Sequence, residues 1–73
     1  MTSPIKIDSQ IQGGAPCFAG TRVPVVSLFD LLEQGYSIDE FLLDFPTVKR
    51  QQVLDVLDLA RRDVPRYAEA RAG

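Results

Sequence analysis

Five side chains able to hydrogen-bond a nucleic acid fall within six positions of this sequence: Thr47, Lys49, Arg50, Gln51 and Gln52. Lysine and arginine can address guanine edges or phosphate oxygens, and glutamine can address adenine. The run follows Phe45-Pro46, and a residue before proline is pushed out of helical geometry, so one helix must stop there. Thr47 is a good N-cap for the next helix, whose free amides would add donors for a phosphate. A polar helix start is common in proteins of every kind, so these residues alone do not decide between solvent and DNA.

A second stretch, Gly13 to Arg22, is glycine-punctuated in the manner of phosphate-binding loops. It fails as a Walker loop, because no lysine follows Gly20 and the glycines are wrongly spaced. It fails as a cysteine phosphatase loop too: the four residues between Cys17 and Arg22 are one too few, and the chain has no histidine to activate a thiol. Cys17, between Pro16 and Phe18, reads as a small buried apolar side chain. Arg22 is open to three roles: surface charge, structural ion pair or phosphate contact. An ion pair to a carboxylate, within the chain or across a dimer, is the preferred one. One cysteine without histidine cannot hold zinc. The expectation is a protein with no catalytic residue, no cofactor, no metal and no small-molecule substrate.

The elements that must position the polar run can be read from periodicity. Pro4 to Asp8 alternates apolar and polar residues, which suits a short strand. Gly13-Gly14 and Pro16 mark a turn region, and Cys17-Phe18 and Thr21–Val23 are further short extended pieces. Val25, Leu28, Phe29 and Leu32 then form one apolar stripe at helical spacing, predicting a first helix over 25–34 with Gly35 as a left-handed cap. Ser37-Ile38-Asp39-Glu40 is a capping box that opens a second helix, ended by Pro46. Val53, Val56, Leu57, Ala60 and Val64 trace a third, from Thr47 to about Asp63, stopped by Pro65. The fold class expected is mainly α: a three-helix helix-turn-helix bundle with a short N-terminal β-strand arm. Its parts are an arm over 1–24, the helical domain over 25–64 and a flexible polar tail over 65–73. Two amphipathic helices joined by so short a link must cross steeply to share a core, which is helix-turn-helix geometry, with the polar run opening the groove-entering helix.

A chain of 73 residues without a disulfide or metal is marginal as a monomer. The arm carries Ile5, Ile7, Ile11 and Phe18, more apolar surface than a free arm should show. Pairing those residues across a two-fold axis would hide the open strand edges, so a homodimer through Ile5, Ile7, Ile11 and Phe18 is expected. No apolar stretch approaches the ~18 residues of a membrane span. A free cysteine and no signal-like N-terminus point to the cytoplasm. The net charge of -2 excludes a protein that coats nucleic acid indiscriminately. The charges are nonetheless segregated: acidic through Asp30, Glu33, Asp39, Glu40 and Asp44, basic at Lys49-Arg50, Arg61-Arg62 and the tail.

From Gly13 onward the pattern Gly-Gly-x-Pro-x-x-x-Gly-Thr-Arg-Val-x-Val resembles the signature of the domain of unknown function 433 family. The resemblance continues through Leu32, Gly35, Tyr36, Ser37, Glu40, Phe41-Leu42 and Phe45-Pro46, and upstream through Ile5, Ile7, Asp8 and Ile11. That family usually has tyrosine where Phe45 stands. The resemblance implies a homeodomain-like, dimeric helix-turn-helix protein, and in many members a VapB-type antitoxin that neutralises a PIN-like ribonuclease toxin and represses its own operon. It implies a structural role for Gly20, Thr21 and Arg22. It also implies toxin contact through the C-terminal segment, where Arg66, Tyr67 and Arg71 are suited to an acidic ribonuclease site. The function expected is therefore that of an antitoxin with operator DNA and a toxin as partners. The alternative is a protein-interaction module of the same architecture that binds no DNA.

Overall fold

The computed structural model describes the backbone of residues 3–72 and the side chains of residues 3–62. Two short strands, β1 (Ile5–Lys6) and β2 (Cys17–Phe18), pair antiparallel with Ile5 opposite Phe18 and Lys6 opposite Cys17. Three helices follow: α1 (Val25–Glu33), α2 (Ile38–Asp44) and α3 (Arg50–Ala72). The protein is thus mainly helical with a β arm, as the periodicity predicts.

The local chemistry of each boundary is visible. The α1 helix ends in a Schellman motif: the Gly35 N–H donates to the Leu32 carbonyl (3.0 Å) and the Tyr36 N–H to that of Leu31 (3.0 Å), with Gly35 at φ 93°. The capping box at α2 is complete. The Glu40 N–H donates to Ser37 Oγ (3.1 Å) and the Ser37 N–H to Glu40 Oε1 (2.9 Å). The α3 helix passes the Val64-Pro65 step at which the pattern predicts an end. Alanine, glutamate and arginine beyond that proline are strong helix formers. The expected flexible tail, 65–73, lies outside the residues whose side chains are described.

One core gathers all the elements. Phe18, Leu28, Phe41 and Val53 are fully buried, with Val25, Val48 and Val56 around them. The Phe41 ring sits 5.9 Å from that of Phe18 and 4.9 Å from that of Phe45, so α2 is joined both to the arm and to its own exit turn. Among the described residues, no helix is long and apolar enough to cross a membrane.

Candidate nucleic-acid interface

The α3 helix begins two residues later than a cap at Thr47 would have it. Phe45 to Val48 form a turn closed by the Val48 N–H on the Phe45 carbonyl (3.0 Å), and Val48 is 4% exposed. Burying that valine holds the chain in the turn, so helical geometry starts only after it. Lys49 therefore stands at the N-cap in place of Thr47, and its carbonyl accepts from the N–H groups of Gln52 (3.0 Å) and Val53 (3.3 Å).

Gln52 bridges two parts of the molecule. Its Oε1 accepts from the Lys49 N–H (2.9 Å), as the third residue of a capping box does, and its Nε2 donates to the Ala19 carbonyl (2.9 Å). One amide thus closes the first turn of α3 and clasps the arm to it. Gln52→Ala leaves the exposed Lys49 N–H to water but strands the half-buried Ala19 carbonyl, at a cost of about 1–3 kcal/mol. A fall of that size is expected in urea unfolding; an unchanged midpoint would show the clasp to be idle.

The other residues of the run face outward. Lys49, Arg50 and Gln51 are all exposed. Arg50 pairs with Asp39 in the first turn of α2, the two side chains 55% and 74% exposed. Gln51 Nε2 donates to Asp55 Oδ1 (2.8 Å) one turn along α3. Of the five sequence candidates, Lys49, Arg50 and Gln51 form one outward surface, Thr47 lies in the turn beside it, and Gln52 is committed to the fold.

Two clefts of about 560 and 520 Å³ lie between the arm and the start of α3, with Gly20 and Thr47 bordering both. Lys6, Asp8 and Arg22 line the first; Lys49, Gln52 and Asp55 line the second. The turn that carries Arg22 is tightly built. Thr21 Oγ1 donates to the Phe18 carbonyl (2.8 Å) and accepts from the Val23 N–H (3.1 Å), while Gln12 Nε2 donates to the Arg22 carbonyl (3.1 Å). Thr21 thus has the structural role expected of it. The Arg22 side chain is exposed and, among the described residues, joins no ion pair within the chain, so of the preferred sequence reading the pair across a dimer is left. The turn fixes its backbone and leaves the side chain free to move in solvent beside the first cleft.

Basic charge farther along α3 is partly neutralised. Arg61 and Arg62 both pair with Asp58, at 3.0 and 2.8 Å. The Arg61 hydrogen bond, helped by the Arg62 charge, holds the Asp58 carboxyl below its ordinary range.

The four arm residues expected at a dimer interface separate. Ile7 is 67% exposed, while Ile5 and Ile11 are half-buried, Ile5 against the core. Phe18 is 0% exposed within its own chain, because the arm folds back onto the helices and the ring meets Phe41. The expected toxin contacts, Arg66, Tyr67 and Arg71, have side chains outside the described residues.

Comparison with known proteins follows the same outline. A family model described as "Protein of unknown function (DUF433)" matches residues 5–60. The fold is similar to the crystal structure of a DUF433 member protein from Anabaena variabilis ATCC 29413, with 22% identity and a TM-score of 0.73. That match covers 99% of this chain and 71% of the other. Among curated proteins, none matches.

Proposed function

This chain belongs to the DUF433 family, and from that premise we propose that it is a DNA-binding antitoxin, cytoplasmic and not an enzyme. It acts as a dimer that represses its own operon and neutralises a PIN-like ribonuclease toxin. The observation that carries the DNA reading is the surface at the start of α3. Lys49, Arg50 and Gln51 are exposed together directly after the turn that joins α2 to α3. In a helix-turn-helix this is where side chains reach base edges. Exposed Ile7 beside the unpaired edge of β1 supports a partner copy at the arm. Arg66, Tyr67 and Arg71 are the toxin contacts in this reading.

A second reading, an interaction module that binds a partner protein but no DNA, draws support from other exposed apolar side chains. Leu43 on α2 is 81% exposed, and Val26 and Phe29 on α1 are 59% and 37% exposed. A mobility shift of the purified protein on a duplex from its own upstream region separates the two. Retardation that is lost on raising salt is the expected result. No retardation, even with the neighbouring gene product added, would leave the second reading standing.

A further inference from the structure

Six of the eight lysines and arginines have described side chains: Lys6, Arg22, Lys49, Arg50, Arg61 and Arg62. Arg50, Arg61 and Arg62 are in ion pairs. The other three, Lys6, Arg22 and Lys49, are exposed and border the two adjoining clefts that share Gly20 and Thr47. They come from β1, the turn before α1 and the cap of α3, so the fold gathers them and no local run does. Like charges brought together repel one another, and an anion seated between them relieves that repulsion. Two carboxylates, Asp8 and Asp55, line the same clefts and keep their charge while accepting from the Gln10 N–H (2.9 Å) and Gln51 Nε2 (2.8 Å), so the cations outnumber the anions three to two.

We propose that Lys6, Arg22 and Lys49 are a phosphate grip, through which the arm holds the sugar-phosphate backbone of a DNA duplex beside the groove that α3 addresses. The inference rests on the DNA-binding reading and adds to it a surface that carries affinity without sequence choice. Three features suit a duplex better than an acidic peptide. The cations stand on separate segments around two joined clefts, the clefts meet at the start of the second helix of the pair, and backbone phosphates flank any groove a helix enters. Hydrogen bonds at Arg22 O and Ala19 O hold the backbone of the turn that presents Arg22 whenever the arm is closed on α3.

Fluorescence anisotropy on two labelled duplexes, one from the upstream region and one of random sequence, tests this with Lys6→Ala/Arg22→Ala. A Lys6→Gln/Arg22→Gln variant keeps the side-chain stems should the first fail to fold. Both duplexes should weaken together with their affinity ratio unchanged, and the salt slope should fall by about two. At about 0.9 per phosphate contact, a fourfold rise in salt then costs the variant roughly 12-fold less affinity than the wild type. Unchanged affinity and slope would overturn the grip, as would wild-type protein that binds a polyglutamate peptide and neither duplex. If the wild type prefers the upstream duplex and the variants match it, the grip fails and the operator reading survives. If wild-type affinity shows no preference between duplexes but falls in the variants, the operator reading fails and the grip survives.

Discussion

Phe41→Ala is expected to remove about 3–5 kcal/mol of stability, between roughly a quarter and all of what a chain of this length holds. At ~0.05–0.15 kcal/mol per residue, a 73-residue chain has roughly 4–11 kcal/mol in total. Phe41 is fully buried and meets both Phe18 and Phe45, at centroid distances of 5.9 and 4.9 Å. Its loss therefore opens a cavity where the arm, α2 and the exit turn converge, with two aromatic contacts gone besides. Urea unfolding followed by circular dichroism measures it. A loss under about 1 kcal/mol would mean that the surrounding side chains collapse into the space, at odds with a close-packed centre.

Lys49→Ala/Arg50→Ala is expected to abolish preference for the upstream duplex while leaving the fold intact. A well-made base contact at Arg50 discriminates by about 1–3 kcal/mol, at least ~5-fold in specific affinity, while loss of the Lys49 phosphate contact weakens both duplexes alike. The Arg50–Asp39 pair is exposed on both sides and contributes little to stability. Asp39, left alone, still sits in the first turn of α2, where the helix dipole favours a carboxylate. The signature differs from that of the arm variants: here the affinity ratio between upstream and random duplexes collapses. Unchanged binding would place the DNA-reading surface elsewhere on the molecule.

Much of the scaffold is legible in the sequence because its signals are local. Gly35 and the Ser37–Glu40 box mark the break between α1 and α2 through bonds that span five residues or fewer. The start of α3 is less legible. Thr47 has the chemistry of a cap, but the buried side chain of Val48 decides where the helix begins, and burial is a property of the whole fold. Gln52 reads as one more polar residue at a helix start, because its partner at Ala19 lies 33 positions away. Phe18 looks like interface material as long as the arm is imagined extended; folded back, the ring belongs to the core. The grouping of Lys6 and Arg22 with Lys49 leaves no trace in spacing, since three separate segments supply the charges.

The Gln52–Ala19 bond also gives the molecule an order of assembly. Two strands of two residues each are not stable by themselves. The arm is therefore the last unit to form and the first to open, and it closes only onto helices already docked. Its amides, those of Phe18 and Ala19 among them, exchange with solvent through a partial opening that spares the centre of α3. Any surface made jointly by the arm and α3 exists only in the closed fraction of molecules, and its apparent dissociation constant is the intrinsic one divided by that fraction. The Gln52 amide, together with the buried Phe18 ring, thereby sets how much of the population is ready to bind.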